Sequence, residues 1–91
     1  MSSEIRDNTT LHRFEMDVEG RCAVAAYKLS DGVIAFTHTE VPLALRGRGI
    51  ASRLVHAALV IARGRGLKVV AKCPFVSAYI ARHPEFADLL L

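Results

Sequence analysis

Between residues 40 and 50 the chain changes its rhythm, and that change limits the folds open to it. The stretch reads EVPLALRGRGIASRLVHAALVIARGRG from Glu40 to Gly66. Before it, apolar residues alternate with polar ones, the period of a half-buried strand. After it, Ile50, Leu54, Ala57, Ala58 and Ile61 fall on one helical face, with Arg53, His56 and Arg63 on another. Pro42 ends the strand pattern, and Arg46-Gly47-Arg48-Gly49 forms the joint. Glycine loses the most backbone entropy on folding, so stability alone would not select it beside a helix start. Its presence points to a close approach of some group to that backbone.

Upstream of the joint, three strands are expected. Residues 11–20 (LHRFEMDVEG) alternate and end at Glu19-Gly20. Residues 21–30 (RCAVAAYKLS) follow and close at Asp31-Gly32, a strong hairpin signal between apolar runs. Residues 33–41 (VIAFTHTEV) form the third, rich in β-branched and aromatic residues. The first half is thus an antiparallel meander. Residues 1–10 are expected to be a flexible N-terminus, and residues 11–91 a single minimal domain.

Downstream, the helix is expected to stop at Gly64 and Gly66. Residues 67–71 (LKVVA) then form a short strand. A helix of that length between strands is a crossover, so this strand can lie parallel to the third. Residues 75–82 form a second helix, and residues 83–91 a final turn or helix with Pro84 at its first position. The fold class is therefore α+β, a mainly antiparallel sheet with one parallel strand pair, a crossover helix and short C-terminal helices.

With 91 residues, 52% of them hydrophobic, the chain can bury a core without staples. Its two cysteines, Cys22 and Cys73, are fewer than a disulfide scaffold carries, and its polar start shows no secretory h-region; a cytoplasmic location is expected. No apolar run approaches the ~20 residues of a membrane span. A net charge of +3 is a mild bias toward anionic partners, too weak with so few aromatics to indicate nucleic acid. The four histidines, His12, His38, His56 and His83, lack metal-ligand spacing, so no metal is expected.

The glycine turn is a plausible anion site. A helix N-terminus carries unpaired N–H groups and partial positive charge, and Arg46 and Arg48 add to it. It is not a Walker loop, because no Gly-Lys-Ser/Thr follows, and it lacks the third glycine of the dinucleotide pattern. A tight strand-to-helix turn with solvated arginines satisfies the same residues.

The stretch RGRGIA, Arg46 to Ala51, resembles the Arg/Gln-x-x-Gly-x-Gly/Ala signature of the GNAT superfamily of acetyl-CoA-dependent N-acetyltransferases. The wider pattern HTEVPLALRGRGIASRLV … CPFVSAYIARHPEF resembles a small, single-domain branch of it. The resemblance implies that acetyl-CoA is the cosubstrate and an amine the acceptor. It implies that the strands at 33–41 and 67–71 splay, with pantetheine between them on the backbone of the first strand through Val41. The pyrophosphate would sit on the backbone N–H groups from Arg48 through Ser52, and Arg46, Gly47, Arg48, Gly49, Ile50, Ala51 and Ser52 together would bind the cofactor. The family's extra N-terminal helices have no room here between the first two strands, so the acceptor side is either open or completed by a second subunit. Monomer and homodimer both remain.

Acetyl transfer to an amine needs a base for the amine and a proton or charge partner for the leaving thiolate. His38 and Glu40 share one strand face and are the base candidates. The resemblance places Tyr79 as a donor to the CoA sulfur, although Val76, Tyr79 and Ile80 also make an apolar helix face. Cys73 would flank the thioester and could carry the acetyl group, if the helix start at Pro74 or nearby His38 lowers its pKa; a small buried hydrophobe is the other reading. Direct attack by the amine is the favoured route. His56 reads as solvated, and Arg82-His83 as a phosphate contact or a helix cap. Two rivals remain: a CoA-binding module without efficient catalysis, and an anion- or RNA-binding domain built on the RGRG turn.

Overall fold

The computed structural model describes residues 5–91. Five strands form one sheet in sequence order: β1 (Ile5–Asn8), β2 (Arg13–Val18), β3 (Arg21–Ser30), β4 (Val33–Glu40) and β5 (Lys68–Ala71). β1 to β4 are antiparallel, and β5 runs parallel to β4 after the crossover helix α1 (Ile50–Gly64). Helix α2 (Pro74–Arg82) and a 3-10 segment, Pro84–Leu89, complete the chain. The α+β expectation holds in element type and order.

The β2–β3 and β3–β4 hairpins turn through residues in the left-handed region, Glu19-Gly20 (φ 52 and 76) and Asp31-Gly32 (φ 36 and 79). Such paired positive angles match the twist of the strands they join. One face of the sheet carries Phe14, Met16, Ala23, Ala25, Tyr27, Ile34 and Phe36, all buried. The small side chains on β3 leave room for α1, which packs Leu54, Val55, Ala58, Leu59 and Ala62 into the same core. Each full burial of a Leu, Ile or Phe contributes about 1.5–3 kcal/mol. The buried stripe of α1 is rotated from its expected position: Val55, Leu59 and Ala62 lie inside, while Ala57 and Ile61 are only partly covered. The helix ends at Gly64, with Arg65 as its C-cap. Gly66, at φ 72, donates to Arg63 O (3.0 Å), and the Leu67 amide donates to Ala62 O (3.0 Å), a closed C-cap.

The expected flexible start is corrected for residues 5–8, which form the edge strand β1; residues 1–4 lie outside the described residues. The strand is held by partners far along the chain. The Tyr27 hydroxyl donates to Asp7 Oδ1, and Arg65 donates to Asp7 Oδ2 at 2.7 Å. Burial and this bond push the Tyr27 hydroxyl up to about 12. On the opposite face Arg6 donates to Glu15 at 2.8 Å and also pairs with Asp17. The strand expected over residues 11–20 begins at Arg13, because Leu11 and His12 belong to the β1–β2 turn. There the Leu11 amide donates to Asn8 Oδ1 (3.1 Å) and His12 takes φ 55.

Candidate active site

β4 carries one residue too many for β3. Ala26 pairs with His38 and Tyr27 with Phe36, so Thr37 is a bulge. A bulge bends its strand and increases local twist. At the same level β4 parts from β5. Their parallel pairing runs from Val33–Lys68 to Phe36–Ala71 and stops there. The Phe36 carbonyl closes the ladder by accepting from both Lys72 (3.0 Å) and Cys73 (2.9 Å). Beyond it β4 continues to Glu40 with β3 alone beside it, while the other chain turns into α2. The splay implied by the resemblance is therefore present, and its origin is local: one extra residue at Thr37.

The glycine turn lies at the wide end of this gap. Gly47 and Gly49 take φ 84 and 72, and Gly49 is the N-cap of α1. A Cβ at either glycine would meet nothing within 4 Å, so packing does not demand glycine there; the backbone angle does. Among the described residues no side chain caps α1, and its first turn contains no acidic residue. The turn borders a cavity of about 240 Å³. Val41, Leu45 and Phe75 form its apolar walls, and Arg46, Gly47, Gly49, Ile50, Ala51 and Ser52 its turn side. Seven of the eight expected cofactor contacts thus converge. Arg48 is not among the lining residues: its guanidinium pairs with Glu19 at 2.5 Å, and the contact expected of it is through its backbone N–H. Arg46 stays at the cavity, donating from Nε to Val41 O at 3.2 Å.

Cys73 is the N-cap of α2 and only 5% exposed. Its sulfur lies 3.4 Å from the hydroxyl of Thr39 on β4, across the gap. Burial pushes this thiol up, but Thr39 and the amides of Val76 and Phe75 outweigh that and leave it below the ordinary thiol range. The cap is electrostatic in character, since no amide meets the thiol with hydrogen-bond geometry. Thr39 was missed by sequence reasoning. Its signal was available: it alternates with His38 and Glu40 and so had to face the other way, toward the gap.

His38 and Glu40 project from the opposite sheet face, with side chains 64% and 68% exposed and a 3.8 Å approach between Nε2 and Oε1. They remain together, as expected, and are open to solvent. Tyr79 is placed differently. It is 8% exposed, and its hydroxyl bonds His56 Nδ1 at 3.0 Å in the seam between α1 and α2. Its ring stacks on His83 with centroids 3.9 Å apart. Burial, helped by Glu85, raises its pKa. His56 is exposed, as expected, and is also this hydroxyl's partner, with its ring edge-on to Phe86. His83 caps α2 through its amide to Ile80 O (3.1 Å). Among the described residues no cluster of three or more His, Cys, Asp or Glu could hold a metal ion, and no helix is long and apolar enough to cross a membrane.

Residues 13–89 match the family described as GCN5-related N-acetyl-transferase. Curated relatives include Protein NATD1 of Gallus gallus and of Homo sapiens, each 40% identical over 52 residues, or 57% of this chain. That alignment covers 47% of the avian and 46% of the human protein, so the chain spans about half the length of these relatives. The NMR solution structure of a GCN5-like putative N-acetyltransferase from Staphylococcus aureus superposes with a TM-score of 0.69 at 27% identity. It covers 97% of this chain and 87% of its own.

Proposed function

The chain belongs to the GCN5-related N-acetyltransferase family, and from that premise we propose that it moves an acetyl group from acetyl-CoA to an amine. The observation that carries this reading is the parting of β4 from β5 beside an uncapped, glycine-built helix start. The residues present fit the cosubstrate. A pyrophosphate needs unpaired amides and room against the backbone, and the turn at Gly47–Ser52 offers both. An extended arm needs an unpaired strand edge, and β4 beyond Phe36 has one.

Bound there, acetyl-CoA supplies an activated acetyl thioester. The amides of the first α1 turn hold its phosphates, and Arg46 adds charge beside them. Val41 and Phe75 give the cavity apolar walls. Glu40 and His38 take the proton of the incoming amine from the open sheet face, where both are accessible. Tyr79 keeps its own proton through neutral pH and is the donor candidate for the leaving thiolate. Reaching the gap requires its hydroxyl to leave His56. Cys73 and Thr39 form the narrow end of the gap, and the amine attacks directly.

The reading is tested by following free thiol release from acetyl-CoA across a panel of amines. Amine-dependent release with a matching N-acetyl product supports it. Binding of acetyl-CoA without product from any amine would leave the chain a CoA-binding module.

A further inference from the structure

The open sheet face contains a second cavity, of about 390 Å³, that shares Val41 and Arg46 with the first. Arg13, Glu40 and Leu43 also border it. Its charges are arranged by the fold. Arg13 is fixed through Nε, which donates to Glu15 Oε2 at 2.5 Å. Arg46 is fixed through Nε on Val41 O. Neither guanidinium has another hydrogen bond among the described residues, so both present their Nη ends unpaired. Glu15, only 3% exposed, is already satisfied by Arg6, Arg13 and Asn8. Among the described residues the one carboxylate bordering the cavity is Glu40, whose Oε1 lies 3.8 Å from His38 Nε2. Across the sheet Arg13 aligns with Ala26 and His38, two strand spacings away, or roughly 10 Å.

We infer that this cavity is the acceptor subsite, and that the acceptor is a small primary amine that also carries an anionic group, a carboxylate or a phosphate. The inference rests on the acetyl-transfer reading above and names its substrate class. The shared wall at Val41 and Arg46 puts the subsite next to the cosubstrate cavity. Glu40 and His38 receive the amine end. Two planar guanidiniums are suited to an oxyanion, which each can hold with parallel N–H bonds. A polyamine would instead set cationic nitrogens against two arginines, and like charges in such a site disfavour binding. Leu43, exposed at the rim, gives the intervening carbons an apolar contact.

The test is calorimetric binding of four probes, γ-aminobutyrate, phosphoethanolamine, butylamine and putrescine, to the protein with and without saturating CoA. Either anionic probe should bind at least about tenfold more tightly than butylamine or putrescine, and their ranking separates carboxylate from phosphate. Arg13→Gln should reduce that preference about tenfold; it leaves Glu15 with Arg6 and Asn8, and circular dichroism checks the fold. Arg46→Gln provides a second variant outside that network. Equal or tighter binding of butylamine or putrescine would overturn the inference, as would an anion preference untouched by both arginine variants, or no binding by any probe to a protein that does bind CoA. Failure to bind CoA, with the anion preference intact on the free protein, would instead sink the acetyl-transfer reading and leave the subsite standing.

Discussion

The Cys73 thiol and the Thr39 hydroxyl meet at 3.4 Å across the gap where β4 and β5 have stopped pairing. The contact joins the two arms of the V just beyond its apex, and it lowers the thiol's pKa despite burial. A poised thiol invites a covalent route, yet direct attack needs no acyl-cysteine. Cys73→Ala is therefore expected to keep turnover per folded molecule within about threefold and to lower stability by about 1 kcal/mol, the scale of one small lost apolar group. Intact mass after brief incubation with acetyl-CoA distinguishes the routes. A stoichiometric, hydroxylamine-labile adduct on Cys73, formed and consumed at the turnover rate, would establish the covalent one.

His38 and Glu40 are exposed neighbours, and in the proposed reaction they share the work of removing a proton. His38→Ala is expected to lower kcat about tenfold or more while acetyl-CoA affinity changes less than twofold, because the base contribution is typically 10²–10⁴ and Glu40 retains part of it. Glu40→Gln in the same background should remove the remainder. Unchanged turnover in the double variant would move the base to solvent.

Tyr79 separates a structural hydroxyl from a catalytic one. Tyr79→Phe removes the bond to His56 and is expected to cost about 1 kcal/mol. His56→Ala removes the same bond but leaves the phenol. If Tyr79 protonates the leaving thiolate, only the phenylalanine variant loses kcat, and equal losses in both variants would make the pair a seam contact.

Stability should fall in acid through Glu15. The Arg13 hydrogen bond holds this carboxyl below its ordinary value, against burial, with help from Asn8 and Arg6. A carboxyl depressed in the folded state stabilises above its unfolded pKa, about 4.5. That contribution is lost as pH falls through the lower folded value. Denaturant midpoints from pH 7 to 3 should show this loss in the wild type and a flatter profile in Glu15→Gln, which starts less stable because Arg6 and Arg13 lose their partner. Parallel profiles would remove Glu15 from the acid transition.

Much of this architecture was written in local pattern. Asp31-Gly32, Pro42 and Gly66 each act through their own backbone angles, so the hairpin, strand end and helix stop were legible. β1 was not, because what holds residues 5–8 is Tyr27, Arg65, Glu15 and Asp17, up to 58 positions away. The turn side of the proposed cosubstrate cavity was legible from Arg46 to Ser52, as one short contiguous segment. The Arg48 side chain departed because Glu19 lies within its reach only after the meander folds. Thr37 looked like any β-branched strand residue, so the bulge that opens the gap was invisible as such. The His56–Tyr79 bond joins residues 23 positions apart on two helices and leaves no local trace.

The account stands on the turn at Gly49. Its φ of 72 suits glycine, and open space lies beside it. Gly49→Ala should cost about 1–2 kcal/mol in backbone strain while keeping some cosubstrate affinity. Gly49→Glu adds a carboxylate where the pyrophosphate would sit. Native mass spectrometry of both variants and the wild type with acetyl-CoA, each first verified as folded, is the direct measurement. The wild type should form a one-to-one complex, the alanine variant a weaker one and the glutamate variant none. A glutamate variant that is folded and binds acetyl-CoA as tightly as the wild type would contradict the account.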